Sequence, residues 1–198
     1  MKVSDNFWNL LAPIYEKLRR NPISGYFLRQ ENRAIEALFE NLLSYDIKTA
    51  GDLGVGRGHS LFLLPETIPL RIALDKSLTM IQLTRKDSPD TQFINANVLN
   101  IPVKNATFDL IFCIGVVEYI SDLESLFTQL NGILKNEGHL LLSYSPKNIF
   151  TSFRFFRGHW IYPREWQEIE KYIQKYQFEL SDLKITPLQH QCLLKKIN

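Results

Sequence analysis

The spacing of the hydrophobic positions changes once along the chain. In residues 6–45 the apolar side chains recur every three or four positions, which is typical of helices that bury one face. Asn21, Pro22 and Gly25 interrupt this pattern, so the segment is predicted to form two helices. From Ile47 onward the apolar residues come in short runs, which suit strands buried on both faces of a parallel sheet. The runs are KTAGDL, LRIALD at 70–75, TQFINA at 91–96, FDLIFCI at 108–114 and GHLLLSY at 138–144.

Helical stretches such as SLTMIQLTR and LESLFTQLNGILK lie between several of these runs. Alternating strands and helices predict an α/β protein with a doubly wound, mostly parallel sheet. Near the end of the chain, residues 163–176 are predicted to form a helix that Pro163 opens. The runs FELSDLKITPL and QHQCLLKKI follow too closely for a parallel crossover, so they are predicted to pair antiparallel. The prediction is therefore a seven-stranded sheet with an antiparallel C-terminal hairpin, preceded by an N-terminal helical segment.

Composition narrows the class of protein. The chain has 198 residues, of which 45% are hydrophobic and 22% charged, which fits one globular domain over 1–198 and excludes a disordered or fibrous chain. A net charge of +2 does not imply an obligatory nucleic-acid partner. Cys113 and Cys192 lie far apart in apolar runs, so neither a disulfide framework nor a metal site is expected. The start of the chain lacks the apolar core of a signal peptide, which favours the cytoplasm.

A glycine-rich turn, DLGVGRGH, follows the first predicted strand and is expected to precede a helix. Glycine lets the backbone approach a ligand closely and adopt positive φ. The spacing GxGxG differs from the dinucleotide fingerprint GxGxxG, whose third glycine would fall on His59, and no Gly-Lys-Ser/Thr follows. These differences disfavour NAD, FAD and Walker-type phosphate binding, and a plain tight turn remains the alternative.

Asp75 stands at the end of the next apolar run. A carboxylate at this place can accept two hydrogen bonds from a ribose diol. The alternative role is the N-cap of the following helix, and one side chain could serve both.

Five segments in order resemble the motifs of the class I S-adenosylmethionine (SAM)-dependent methyltransferases of the compact small-molecule kind. The resemblance covers about residues 45–197, and it implies a Rossmann-like fold with SAM as cofactor and S-adenosylhomocysteine (SAH) as product. The segments are DLGVGRG, ALDKSLTMI, NANVLNIPVKNATFDLIFCIGVVEYI, GILKNEGHLLLSYSP and PREWQEIEKYIQKYQFEL.

The resemblance also implies which residues contact the cofactor. Gly54 and Gly56 would border its methionine and ribose, with Gly58 completing the loop. Asp52 would hold the amino group, directly or through water, and Asp75 would bind the ribose hydroxyls.

The adenine and methionine ends have further implied contacts. Lys76 would lie beside the adenine ring, and Asn97 stands where the family often has an Asp that contacts the adenine amino group. The amide of Val98 would meet a ring nitrogen. Cys113 and Ile114, at the end of the fourth strand, would face the methionine end.

The catalytic residue stays unassigned, because Glu118-Tyr119 stands where many relatives have Glu-His. Methyl transfer from a sulfonium removes positive charge in line with the nucleophile, so a dry, aligned site favours it. Such a reaction needs no dedicated base when the acceptor is already nucleophilic.

The motifs that are absent favour a small-molecule acceptor. The fourth strand is not followed by Asn/Asp-Pro-Pro-aromatic, and the chain has no Pro-Cys. Two segments are predicted to shape the acceptor side, namely a helical cap at 1–45 and an insertion at 147–162. The candidate acceptor-binding residues are Tyr15, Tyr119, His159 and Trp160, with His159 as the best-placed base.

The insertion is rich in aromatic residues and arginines, which suits an apolar or aromatic acceptor that bears a carboxylate or phosphate. The same features over 147–164 suit peripheral contact with an anionic membrane, and ordinary packing is the third interpretation. Two other functions stay open, a scaffold that binds the cofactor without catalysis and a methyltransferase with a macromolecular acceptor. The sequence does not predict the oligomeric state.

Overall fold

A computed structural model describes residues 7–19, 22–156 and 161–197, with the side chains of all of these except 14–19, 23 and 153–156. The strands are β1 Thr49–Leu53, β2 Leu70–Asp75, β3 Gln92–Asn95, β4 Phe108–Cys113, β5 Leu134–Tyr144, β6 Phe178–Ile185 and β7 His190–Lys196. The α-helices are α1 Phe7–Arg19, α2 Pro22–Glu40, α3 Leu78–Arg85, α4 Leu123–Ile133, α5 Ile149–Phe156 and α6 Trp166–Lys175. Two single-turn 3₁₀ helices span Leu61–Leu63 and Val117–Tyr119.

The strands of the described chain form one seven-stranded sheet in the order β3-β2-β1-β4-β5-β7-β6. The first five strands of that order run parallel, and β7 pairs antiparallel with both β5 and β6. This confirms the predicted fold class. The strand order reverses direction between β1 and β4, and a crevice opens outside the carboxyl ends of the strands at such a switch point.

Both faces of the sheet are buried, which explains the continuous apolar runs in the sequence. On one face, Leu38 of α2 and Leu42 in the turn after it belong to the same buried cluster as Phe112, Leu141 and Leu193 of the sheet. On the other face, α4 and α6 contribute to a larger cluster around Phe127, whose ring stacks on that of Tyr172 at 5.3 Å. The core is therefore made by two layers of helices on a central sheet.

Three local predictions are wrong, and each of them lies close to a proline. Pro22 begins α2, where its missing N–H costs nothing, and the helix then continues through Gly25. The α-helix expected after the glycine turn is replaced by the 3₁₀ turn Leu61–Leu63, because Pro65 and Pro69 leave no room for a longer helix before β2. At the far end Pro163 lies outside α6, since the helix begins at Trp166 with Glu165 as its extended N-cap.

Both cysteines are free and buried. The described part of the chain contains no group of three or more His, Cys, Asp or Glu side chains that could hold a metal ion. Among the same residues, no helix has both the length and the apolar character that crossing a bilayer requires.

Candidate functional site

The glycine loop after β1 lies at the carboxyl edge of the sheet, and its three glycines all have positive φ. The values are +74° at Gly54, +51° at Gly56 and +78° at Gly58, a region that other residues rarely adopt. A Cβ on Gly54 would lie 2.4 Å from Cγ2 of Val116, and one on Gly58 would lie 2.7 Å from Cγ2 of Thr84. At Gly56 the nearest described atom would be the Gly54 carbonyl oxygen at 3.9 Å. The outer glycines are thus required by packing, whereas Gly56 leaves space for a ligand to approach the backbone.

Hydrogen bonds to the neighbouring strand and helix fix the loop. The amides of Gly54 and Val55 both donate to the Leu74 carbonyl of β2, at 2.7 and 3.0 Å. The Thr84 hydroxyl of α3 donates to the Gly56 carbonyl at 2.7 Å. These bonds give the loop a defined shape beside the end of β2.

Asp75 joins the glycine loop to the start of α3. Its Oδ2 accepts from the Gly56 amide and its Oδ1 from the Ser77 amide, both at 2.8 Å. The side-chain N-cap of α3 is Ser77, which accepts from the Met80 amide, so the alternative N-cap role for Asp75 is wrong. Burial raises the pKa of Asp75, and the two amide bonds oppose that rise. Each carboxylate oxygen keeps a further acceptor site, so the group remains able to accept two ribose hydroxyls.

Asp52 is buried on β1, directly before the loop, at 1% exposure. The Ser60 hydroxyl donates to its Oδ2 at 2.7 Å. Burial is the main cause that raises the pKa of Asp52 to about 7, and the negative charge of Asp75 adds to it. A cation placed beside this carboxyl would favour its charged form, which is the property that the amino group of SAM would exploit.

The residues predicted to hold the adenine lie at the same edge. Lys76 follows β2 and is exposed, and Asn97 and Val98 follow β3. Asn97 is exposed and its Oδ1 accepts from the Leu99 amide at 3.0 Å, while Val98 is buried. Asn95, which the sequence reasoning missed, donates from Nδ2 to the Asp75 carbonyl at 2.9 Å.

Cys113 ends β4 and is fully buried, and Ile114 is half-buried. Burial, together with the nearby charges of Asp52 and Glu118, raises the pKa of the thiol far above its usual range. Cys113 is therefore an inert core thiol close to Asp52, and its contact with the methionine end stays a prediction.

The opposite side of the crevice is built around Glu118, which is 1% exposed. Its Oε1 accepts from Nε2 of Gln189 at 3.3 Å, and its carbonyl accepts from the Tyr162 amide at 2.6 Å. Gln189 belongs to the turn between β6 and β7, and no sequence motif indicates that this turn reaches the loop after β4. Tyr119, predicted to bind the acceptor, packs edge-on against Trp8 with ring centroids 4.9 Å apart.

Helix α1 spans the crevice between these two sides. Oδ1 of Asn9 accepts from the Ser77 hydroxyl at 2.7 Å and from the Thr79 amide at 3.3 Å. One residue earlier, Trp8 contacts Tyr119. The helix thus touches the loops that follow β2 and β4, which flank β1. The side chain of Tyr15 lies outside the described residues.

The ends of the insertion meet at the carboxyl end of β5. Pro146 and Arg164 form a parallel β-bridge, and the Arg164 amide donates to the Ser145 carbonyl at 2.9 Å. The Arg164 guanidinium also donates to the Ile120 carbonyl at 2.6 Å. The segment between these ends therefore leaves and rejoins the fold next to Glu118. His159 and Trp160 lie outside the described residues.

The sequence of the chain is similar to those of known methyltransferases. Residues 51–142 match the family model described as a methyltransferase domain, and that range contains the glycine loop and Asp75. Residues 51–142 of the chain therefore carry a methyltransferase domain. An uncharacterized protein of Methanocaldococcus jannaschii is 31% identical over 150 residues, which cover 73% of this chain and 62% of that protein. Trans-aconitate 2-methyltransferase of Escherichia coli is 33% identical over 117 residues, which cover 58% of this chain and 46% of that enzyme. The chain thus spans about half to three-fifths of the length of these relatives.

The solved structures agree on the fold of the methyltransferase domain. Magnesium protoporphyrin IX methyltransferase from Synechocystis, solved with bound SAH, has a TM-score of 0.78 at 15% identity and covers 97% of both chains. At that identity the likeness shows the fold alone.

Proposed function

We propose that the protein transfers a methyl group from SAM to a small, apolar or aromatic acceptor, and that residues 1–198 act as one domain. The proposal rests on the hydrogen bond between the Gly56 amide and the Asp75 carboxylate. A buried carboxylate holds the amide of the one loop glycine that faces open space, at the carboxyl edge of β1 and β2. This is where a doubly wound sheet binds nucleosides.

Three groups contact the cofactor in the proposed site. Asp75 accepts the ribose hydroxyls on the acceptor sites that its two amide bonds leave. Gly56 lets the cofactor pass close to the backbone, since its Cβ position is open. Asp52 lies on the preceding strand and pairs with the amino group in its ionised form.

The acceptor end is built from the loop after β4, the β6–β7 turn and the insertion. Glu118 and Gln189 supply polar groups there, while Trp8 and Tyr119 supply apolar surface. SAM supplies an electrophilic methyl group, and the chain's own residues hold donor and acceptor in line and exclude water. The name of one sequence relative supports a small acceptor, because it specifies trans-aconitate.

The direct test is transfer of a labelled methyl group from SAM to a panel of small carboxylic acids, tetrapyrroles and aromatic metabolites. The expected result is label on one class of acceptor, which is lost in Asp75→Asn and kept in Asp90→Asn. Asp90 is a suitable control because its side chain is 85% exposed and its ion pair with Arg71 is long, at 4.0 Å. Intact SAH binding without transfer to any acceptor would instead indicate a protein that binds the cofactor without catalysis. Label that appears only on protein or nucleic acid would point to a macromolecular acceptor.

A further inference from the structure

An exposed apolar surface lies where α2 meets α5. Ile149 is 77% exposed, Tyr26 53% and Phe150 49%. The rings of Tyr26 and Phe27 are 5.6 Å apart, and those of Phe27 and Phe150 are 6.0 Å apart. Phe27 therefore joins the exposed side chains into one continuous patch. We call Tyr26, Arg29, Arg33, Ile149 and Phe150 the α2–α5 surface.

Two arginines give this surface a positive charge. Tyr26, Arg29 and Arg33 are spaced i, i+3 and i+7 along α2, so they share its outward face. Both arginines are exposed, and neither forms an ion pair with any residue that the structure describes. Lys147, just before α5, is half-exposed and lies 3.7 Å from Glu165. Unpaired cations beside exposed aliphatic and aromatic side chains are the chemistry of a surface that binds anionic lipid.

The surface adjoins the acceptor side of the crevice. Gln191 of β7 donates from Nε2 to the Glu31 carbonyl of α2 at 3.1 Å, and Gln191 pairs in register with Ser143 near the carboxyl end of β5. Asn148, which precedes α5, donates to the Pro187 carbonyl in the β6–β7 turn at 2.8 Å. Both helices are thus fastened to the end of the sheet where the acceptor is proposed to bind.

We propose that the α2–α5 surface docks the domain on an anionic lipid bilayer. Ile149, Phe150 and Tyr26 enter the boundary between headgroups and acyl chains, while Arg29 and Arg33 contact the lipid phosphates. Isolated nucleic acid fits this surface less well, because the exposed aliphatic side chain of Ile149 has no partner there. The inference goes beyond the proposed function, since docking requires neither SAM nor an acceptor.

The test is flotation of the full chain with phosphatidylcholine vesicles and with the same vesicles enriched in phosphatidylglycerol. Binding is expected only with the anionic vesicles, and raising the salt concentration should weaken it. Arg29→Gln combined with Arg33→Gln should lower the bound fraction roughly tenfold or more. Ile149→Ser combined with Phe150→Ser should also abolish most of the binding.

Matched controls keep the result specific. Leu43→Ser changes a side chain that is 65% exposed beyond the end of α2, and Lys104→Gln removes an exposed cation near β4. Both variants should bind vesicles like the unmodified protein, and all variants should keep its urea midpoint and SAH affinity. Equal binding to neutral and anionic vesicles, or unchanged binding in both double variants, would overturn the proposal. A change of oligomeric state in the double variants without vesicle binding would also overturn it, because it would identify the surface as a contact between copies. None of these outcomes depends on methyl transfer.

Discussion

Replacing Asp52 by Asn should stabilise the free protein at neutral pH and weaken its binding of SAH. The Asp52 carboxyl is buried, and the rise of its pKa from 3.8 to about 7 measures how much the folded state disfavours the ionised form. At about 1.4 kcal/mol per pKa unit, the rise corresponds to roughly 4 kcal/mol. Ser60 and the Leu61 amide offset part of the desolvation, and that figure already includes them.

The sign of the pH dependence follows from proton linkage. Below pH 3.8 both the folded and the unfolded states hold the proton on Asp52, so the carboxyl costs nothing. Between pH 3.8 and about 7 the unfolded state releases the proton while the folded state retains it, so stability falls as the pH rises. Above that window the cost is constant. Asn does not titrate, and its advantage over Asp should therefore grow through the window.

The assay is urea unfolding of both proteins at about pH 5 and about pH 8. The difference in unfolding free energy between Asp52→Asn and the unmodified protein should become more favourable to the variant by roughly 2–4 kcal/mol at the higher pH. A fixed cost of burying the amide cancels in this comparison. Asp122→Asn is the control, because hydrogen bonds from Ser125 lower the pKa of Asp122, so its contribution is fully present at both pH values and the difference for this variant should not change between them. An equal difference for Asp52→Asn at both pH values would show that the folded state does not raise the pKa of Asp52.

Four further substitutions test the packing of the site and core. Gly56→Ala should lower the free energy of unfolding by about 1–2 kcal/mol through its positive φ alone. Gly54→Ala should lower it by about 1–3 kcal/mol more, because the added Cβ would lie 2.4 Å from Val116. Equal urea midpoints for the two variants would contradict this difference. Phe127→Ala should lower the unfolding free energy by about 3–5 kcal/mol, since the ring is fully buried, and a loss below about 1 kcal/mol would show that the cluster is loosely packed. Trp8→Ala should weaken SAH binding in calorimetry by loosening α1, and unchanged affinity would show that α1 does not cover the cofactor.

The fold was predictable from the sequence because strands buried on both faces leave a mark that does not depend on distant contacts. Runs such as LRIALD and FDLIFCI are apolar at most positions that the sheet buries, and both form strands where expected. The close spacing of the last two runs likewise excluded a parallel connection, and β6 and β7 pair antiparallel. The α-helix predicted after the glycine turn does not form, because Pro65 and Pro69 shorten that connection.

The candidate site was likewise predictable only in part. The positions of Asp52, Gly56 and Asp75 follow from local pattern, since each stands at the end of a strand or in the turn after it. The partners of these residues do not follow, because a hydroxyl such as that of Ser60 could have paired elsewhere. The contact of Glu118 with Gln189 joins positions 71 residues apart and has no signal in a single sequence. Tertiary contacts of that kind determine the acceptor side, which is why its residues were the hardest to predict.

The most direct test of the Gly56–Asp75 site is calorimetric titration with SAH of the unmodified protein, Asp75→Asn and the exposed control Asp90→Asn. Micromolar affinity is expected for the unmodified protein and the control, with a loss of at least about tenfold in Asp75→Asn, since one acceptor oxygen becomes a donor. Equal affinity in all three proteins, or no heat with any of them, would rule out this role for Asp75.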